Sequence, residues 1–343
     1  MRVLVTGGAG YIGSHAALRL LLDGHDVVTI DNLSRGHAQA EATLETLGGD
    51  RYTPIRCDLH ETERLSELLT SEQIEVIMHF AAFAEVGESV DHPLRYHHNN
   101  IAGTVSVLRA MHEARTPRIV FSSSCSTYGE PAADQIPINE DTPQSPINPY
   151  GASKLQCERM LADLAEAKRR ANEPFAYAAL RYFNVAGCDR QTRVGEDHRP
   201  ESHLIPICLQ AALGQRPKMS IFGTDYPTPD GTCIRDYVHV EDLADAHVRV
   251  MGVLEPGDER RYNVGIGKGF SVRECIESAK RVTGVDFPVE EAERRPGDPP
   301  ELYADVSKIE RELGWKASIT DIDETVESAW KWFKTYPHGW PES

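Results

Sequence analysis

Gly7, Gly10 and Gly13 recur every third residue in Thr6-Gly7-Gly8-Ala9-Gly10-Tyr11-Ile12-Gly13. The first glycine permits a tight turn, the second lets the backbone approach a pyrophosphate, and the third lets a helix pack closely on the preceding strand. The start of that helix offers free N–H groups and a partial positive charge to phosphates. Asp31 ends the next apolar run. A carboxylate there accepts bonds from adenosine ribose hydroxyls and repels a 2′-phosphate, so the expected cofactor is NAD rather than NADP. Arg35 lies nearby and can in principle bind a 2′-phosphate.

A second group lies in Tyr150-Gly151-Ala152-Ser153-Lys154. The spacing i, i+4 puts Tyr150 and Lys154 on one face of a helix. A tyrosine is a poor base, with a reference pKa of about 10. A neighbouring ammonium and a positive nicotinamide ring both favour its phenolate. The phenolate can take a proton from a carbinol while hydride leaves to the cofactor. Ser124 ends Ser122-Ser123-Ser124 and would bond the same oxygen. Taken alone, Tyr-x-x-x-Lys also fits an ordinary amphipathic helix, and it is the glycine loop that gives it meaning.

These residues need a scaffold, and the hydrophobic pattern supplies one. Val3-Leu4-Val5 reads as a buried strand before the glycines, and Ser14 to Asp23 as a helix with Gly24 as its terminal cap. Val27 to Ile30 is a second strand and Pro54 to Cys57 a third, ending at Asp58. Helix-like Thr62 to Thr70 precedes strand Val76 to Phe80, and helix-like Asn100 to Ala114 precedes strand Arg118 to Phe121. Such alternation implies right-handed crossovers and a doubly wound, Rossmann-type parallel α/β sheet. Asp58 would touch the adenine edge or cap a helix. Phe80-Ala81-Ala82, at the carboxyl edge of the fourth strand, would leave room for the nicotinamide half. Asn99 would cap a helix, touch the cofactor, or do both. Beyond about residue 185 the regularity weakens, and loops such as Gly223 to Pro227 appear. Two late helices stand out, one opened by the capping-box pair Ser271 and Glu274, the other covering roughly Thr325 to Lys334. The expected division is a dinucleotide-binding domain over 1–185, with later segments returning to it, and a smaller α/β lobe over 186–343.

Composition narrows the partners. The 343 residues are 40% apolar and 26% charged, values of a globular chain, and the 36 basic against 53 acidic residues give a net charge of −17. Such a chain repels nucleic acid and anionic lipid, leaving only a local basic pocket for phosphate. No apolar run approaches the roughly 20 residues that span a bilayer. The start enters a strand at once, so no signal peptide is expected. Seven dispersed cysteines, with no C-x-x-C, argue against a disulfide framework or zinc site and for a reducing cytoplasm. No metal is expected. His97 and His98 lack spaced carboxylate or cysteine partners, and they and His79 read as surface or packing residues.

The glycine loop, the serine-rich strand end and Tyr150-x-x-x-Lys154 resemble the extended short-chain dehydrogenase/reductase family. Within it, the chain is similar to the nucleotide-sugar 4-epimerases. The likeness runs almost end to end, through Asp31-Asn32-Leu33, Val86-Gly87-Glu88-Ser89, Arg181-Tyr182-Phe183-Asn184, Gly195-Glu196-Asp197, Asp225-Tyr226 with Asp230-Gly231-Thr232, Arg235 to Val240, and Arg294-Arg295-Pro296-Gly297-Asp298. The resemblance implies interconversion of UDP-glucose and UDP-galactose, through a 4-keto sugar made and reduced on a retained NAD. It places Tyr11, Ile12, Asp31, Asn32, Asp58, Leu59, Phe80, Ala81, Ala82, Asn99, Lys154 and Phe183 along the NAD. It places Asn184, Leu204, Ser220, Ile221, Phe222, Arg235, Arg295 and Asp298 along the UDP-sugar. Forked guanidinium donors suit a diphosphate on an acidic protein; Arg235 alone would read as a surface ion pair with Asp236 or Glu241.

Departures from that pattern mark the open questions. Ala84, followed by Glu85, stands where the family often has a cofactor-binding lysine. His203 replaces an asparagine that faces the diphosphate, and it can still donate a hydrogen bond. Leu302 replaces a tyrosine that limits the sugar pocket; its intermediate size implies a preference for UDP-glucose and UDP-galactose, with N-acetylated sugars possible. Related dehydratases and decarboxylases place carboxylates just after the strand-end serine or threonine. Here those positions are Cys125 and Ser126, so no acid or base serves C6 and C5. A 4-epimerase of a UDP-pentose, UDP-uronate or UDP-N-acetylhexosamine is the nearest alternative, and an NAD-sensing protein that lost turnover is the non-enzyme rival. The resemblance also implies a homodimer through the helices after Asn100 and around Tyr150.

Overall fold

The computed structural model describes residues 1–295 and 298–341, which leaves Pro296 and Gly297 of the arginine motif outside the described residues. Its contacts divide it into two compact units, one of 1–129, 143–181 and 244–262, the other of 130–142, 182–243 and 263–343.

In chain order the first elements are β1 (Arg2–Thr6), α1 (Tyr11–Leu22), β2 (Asp26–Asp31), α2 (Ala38–Gly48), β3 (Tyr52–Arg56), α3 (Thr62–Ser71), β4 (Val76–His79), α4 (Val86–Asp91), α5 (Pro93–Tyr96), α6 (Gly103–Ala114), β5 (Arg118–Ser124), α7 (Pro149–Arg170) and β6 (Ala176–Tyr182). There follow β7 (Asn184–Ala186), α8 (Leu204–Ala212), β8 (Met219–Phe222), β9 (Ile234–Arg235), β10 (Tyr237–His239), α9 (Val240–Val253), β11 (Glu259–Val264), β12 (Phe270–Ser271), α10 (Val272–Thr283), β13 (Val289–Ala292), β14 (Glu301–Leu302), α11 (Ser307–Leu313) and α12 (Ile322–Thr335).

Seven strands form the main sheet in the order β11-β6-β5-β4-β1-β2-β3. β3, β2, β1, β4 and β5 pair in parallel. The order reverses at β1, and ligands of open α/β sheets bind at such a switch, beyond the strands' carboxyl ends. Continuous apolar strands need cover on both faces. On one face Leu4, Ile77, Ile119 and Phe121 meet Leu65, Leu68, Val107, Met111, Cys157 and Leu161 from α3, α6 and α7 in one buried cluster. The second unit carries three small sheets among the described residues: β10 with β7, β12-β9-β14, and β13 with β8. All seven cysteines are buried as free thiols.

Boundaries moved where tertiary structure took over. α1 starts at Tyr11 rather than Ser14, because the glycine turn already ends at Gly10. α6 starts at Gly103, since His97–Ala102 forms a π-helical turn leading into it. α12 begins at Ile322, where the Asp321 side chain caps its start. Ser271 and Glu274 form both halves of the expected capping box. Among the described residues, no helix is long and apolar enough to cross a membrane.

Candidate active site

Close approach explains the glycine loop. Gly7 has φ +72°, and a Cβ there would lie 2.8 Å from the Ala81 nitrogen. A Cβ on Gly13 would lie 2.1 Å from the Gly7 carbonyl oxygen. Gly10 caps α1 without any side-chain hydrogen bond to the first turn, leaving that helix start available to an anion. Tyr11 and Ile12 open α1 and are half-buried. Gly13→Ala is therefore expected to cost about 1–3 kcal/mol through overpacking and to weaken dinucleotide binding. Thermal melting and NAD titration read the two effects, and unchanged values for both would reject this account of the turn.

Asp31 ends β2 with 9% exposure. Its carboxylate accepts from the Ala9 N–H at 3.0 Å and the Leu33 N–H at 2.8 Å, while burial pushes its pKa up. It thus fastens the glycine loop to the end of β2. Arg35 is engaged by Glu88 at 2.7 Å and lies over the Phe83 ring. The Arg95 guanidinium covers the same ring and also pairs with Glu88, so cations do occupy the neighbourhood of Ala84. Asn32 donates to Asp58 at 2.6 Å. Asp58 does not cap a helix; Glu61 holds that position, and Asp58 instead accepts from the N–H and ring of His60. Leu59 is buried beneath Gly103. The Phe80 ring meets His247 at 4.7 Å, the Ala81 N–H donates to the Thr6 hydroxyl, and Ala82 is half-buried. Asn99 is not a helix cap either, because it sits inside the π-helical turn.

Tyr150 and Lys154 lie in the first turns of α7, whose start is capped by the Asn148 side chain accepting from the Gly151 N–H at 2.8 Å. Gly151 brings α7 against the short turn after Ser124: a Cβ there would be 2.3 Å from the Ser126 carbonyl oxygen. Tyr150 and Ser124 are both buried, and the Ser124 hydroxyl accepts from the Ser126 N–H. Lys154 Nζ sits 5.9 Å from the Tyr150 ring centroid and donates to the Ser122 carbonyl at 2.7 Å. Lys154 is 3% exposed, and burial lowers its pKa to about 8. His79, bonded to Thr6 and Thr104 and lowered to about 3 by burial and by Lys154, is a neutral packing residue.

In the second unit, Arg235, Asp298 and Arg295 converge. Arg235 donates to the Ile234 and Pro299 carbonyls and lies 3.6 Å from Asp298, to which Arg295 also donates. The reading of Arg235 as paired with Asp236 or Glu241 fails: Glu241 binds Arg190, and buried Asp236 accepts backbone N–H groups from Ile266, Gly267 and Ala304. Leu302 is Arg235's partner in the β14–β9 ladder. Arg295 lies over the exposed Phe222 ring. Strand alternation turns Ile221 into the interior while Ser220 bonds Glu290. Phe183 is buried, and the Asn184 N–H donates to the Asp236 carbonyl. Leu204 opens α8 after His203, whose Nδ1 lies 2.8 Å from Glu201.

Four positions that hold the site's elements together escaped the sequence. Asn100 bonds Phe83 through both its amide ends and donates to Ser153, tying the β4 exit to α7. Glu158 and Arg181 form a buried ion pair between α7 and β6. Asp236 knits β9 and β14 to the following loops. No local pattern marks Asn100 or the Glu158–Arg181 pair, because their partners are distant in sequence; the motif around Asp236 was visible, but not its role.

The chain matches the model of the NAD dependent epimerase/dehydratase family over residues 3–265. It is 48% identical over 341 residues to a UDP-glucose 4-epimerase of Halalkalibacterium halodurans, covering 99% of this chain and 98% of that one. It is 47% identical to a probable UDP-arabinose 4-epimerase of Arabidopsis thaliana, covering 99% and 83%. Among solved structures, a UDP-glucose 4-epimerase of Stenotrophomonas maltophila with bound NAD and formylated UDP-arabinopyranose superposes with a TM-score of 0.92 at 39% identity, covering 98% and 99%. With the glycine loop, the strand-end serine and the Tyr150–Lys154 pair assembled as described, this chain belongs to the NAD dependent epimerase/dehydratase family.

Proposed function

We propose that the chain is an isomerase that inverts C4 of a UDP-hexose, interconverting UDP-glucose and UDP-galactose in galactose metabolism. The observation that carries this reading is the grouping of Ser124, Tyr150 and Lys154 beside a glycine loop shaped for a dinucleotide, with no carboxylate at Cys125 or Ser126 to divert a 4-keto sugar. NAD, when bound, supplies hydride acceptance and return at C4. Gly7, Gly10, Gly13 and the start of α1 hold its pyrophosphate, with Asp31 on the ribose. Asn32, Asp58, Leu59, Phe80, Ala81, Ala82, Asn99 and Phe183 line the rest.

Tyr150 removes the O4 proton and returns it after the keto sugar has turned over. Ser124 holds O4, and the Lys154 ammonium favours the phenolate. Arg235 and Arg295 take the diphosphate. Asn184, His203, Leu204, Ser220, Phe222, Asp298 and the backbone of Ile221 surround the UDP moiety, with Leu302 bounding the sugar. Burial at Lys154 makes the reaction pH-dependent. Its folded pKa of about 8 lies below the ordinary lysine value. The ammonium prevails below about pH 8 and is lost above it; its burial costs stability below that pH, and the cost is relieved as pH rises from about 8 toward the ordinary lysine value of about 10.4. kcat/KM should fall on an alkaline limb near pH 8, and that limb should vanish in Lys154→Met. An alkaline limb unchanged in the variant would refute the role.

The test of function is incubation of purified protein with UDP-galactose, without added NAD, and chromatographic separation of the UDP-sugars. UDP-glucose is the expected product. Parallel UDP-arabinose, UDP-xylose and UDP-N-acetylgalactosamine reactions address the second reading, a UDP-pentose or N-acetylhexosamine 4-epimerase, which the 47% identity to a probable UDP-arabinose 4-epimerase favours. No conversion of any sugar, with NAD supplied, would favour a binding protein. The chain is further proposed to be cytoplasmic and to pair as a homodimer through α6 and α7. Exposed Val86, Val90, Leu94 and Val105 on α4–α6 support that pairing, and light scattering gives the mass.

A further inference from the structure

Between Gly195 and α8 the chain reads Glu196-Asp197-His198-Arg199-Pro200-Glu201-Ser202-His203. Four of these side chains converge. His198 Nδ1 lies 3.1 Å from Glu196 Oε1 and 3.7 Å from Glu201 Oε2. His203 Nδ1 lies 2.8 Å from Glu201 Oε1 and 3.5 Å from Glu196 Oε1. One ligand-type atom from each residue falls within 4.8 Å of all the others. Metal–ligand bonds of 2.0–2.1 Å in a tetrahedron separate neighbouring ligands by about 3.4 Å, and the observed spacings bracket that value. We propose that Glu196, His198, Glu201 and His203 form a binding site for one divalent transition metal of the zinc class.

Burial supports the assignment. Both carboxylates have side chains only 2% exposed, and two buried anions a few ångströms apart demand a compensating charge. Two imidazolium protons can provide it; one divalent cation bound by neutral imidazoles provides the same charge in one atom. Two nitrogen and two carboxylate ligands suit zinc and its neighbours, whereas magnesium and calcium prefer all-oxygen shells.

The backbone is held for this purpose. The Glu196 carbonyl accepts from Trp332 Nε1 at 3.0 Å, and Gly195 lies so close under the same indole that a Cβ would meet the ring at 2.0 Å. The Glu201 carbonyl accepts from Arg216. The intervening Asp197 is turned away, taking Arg199 and the Trp340 N–H. Four protein ligands make a closed site, the mark of a structural rather than a catalytic metal. Its effect would be to fasten the 195–203 loop to the start of α8. The proposal does not depend on the epimerase reading, and a metal on Nδ1 leaves His203 Nε2 for the UDP moiety.

The test uses tag-free, full-length protein carrying its own cofactor, stripped with a chelator and dialysed against zinc chloride, with metal counted by mass spectrometry. About one zinc per chain and a higher Tm are expected. Cobalt(II) in the same protein should give the intense visible absorption of a tetrahedral site. Glu201→Gln, close in size to the native residue, should weaken zinc at least about 10-fold and abolish the cobalt spectrum, as should His198→Ala. If a variant fails to fold, the wild-type stoichiometry and cobalt spectrum still decide. Less than a tenth of an equivalent in folded wild type, or equal zinc in wild type and folded variants, overturns the site.

Discussion

Tyr150→Phe should lower kcat for UDP-galactose conversion about 10²–10⁴-fold, the range by which a positioned acid–base group accelerates a reaction. The substitution deletes one hydroxyl from a side chain already 7% exposed, in a helix whose start is fixed by Asn148 and by the close approach of Gly151 to Ser126. Packing should therefore survive, and Tm should stay close to wild type. KM should change little, because the UDP-binding residues are untouched; a fall in kcat at constant KM is the sign of an interaction made only in the transition state. A variant retaining more than a tenth of wild-type kcat would remove Tyr150 from the base role and leave Ser124 as the remaining hydroxyl.

Arg181→Met should destabilise the protein by about 3–5 kcal/mol, the cost of leaving one partner of a buried ion pair uncompensated. Arg181 and Glu158 are each 3% exposed and 2.6 Å apart. Glu158 also accepts from Ser123, and Arg181 donates to the Tyr128 hydroxyl at 2.9 Å. Glu158 follows Lys154 by one turn on α7, and Ser123 precedes Ser124 on β5. The pair therefore braces both catalytic elements from behind, and kcat should fall along with stability. Glu158→Leu combined with Arg181→Met removes both charges and should recover much of the loss, because an apolar pair of similar volume avoids the desolvation penalty. Urea melts of the two singles and the double separate these terms. A single variant as stable as wild type would show that the pair is not needed to hold α7 on β6.

Much of the site was legible because its chemistry is local. The Gly7-Gly10-Gly13 spacing encodes a turn in which Gly7 and Gly13 leave no room for a Cβ, and the short distance from Gly13 to the Gly7 carbonyl is the direct expression of that code. Tyr150 and Lys154 are neighbours by helical periodicity alone. The alternation of apolar runs determined the parallel sheet, since strands buried on both faces leave no other pattern. The Glu196–His203 run carries its carboxylates and imidazoles within eight residues, but their convergence depends on a loop whose backbone Trp332 fixes from far along the chain.

The residues that only the tertiary structure decided share one physical cause. Asn100, Glu158 with Arg181, and Asp236 are buried polar groups, and a buried polar group must find partners or pay its desolvation cost. Those partners are supplied by whichever strand or loop the fold brings alongside: Phe83 and Ser153 for Asn100, Tyr128 for Arg181, the Ile266, Gly267 and Ala304 amides for Asp236. Separations of 17 to 68 residues between these partners leave no spacing to read. By itself the sequence determined the loop geometry, the Tyr150–Lys154 pair and the sheet, because each follows from backbone sterics within a few residues. The tertiary structure alone decided what holds them in register, because the satisfaction of a buried charge or amide depends on atoms that meet only when the chain has folded.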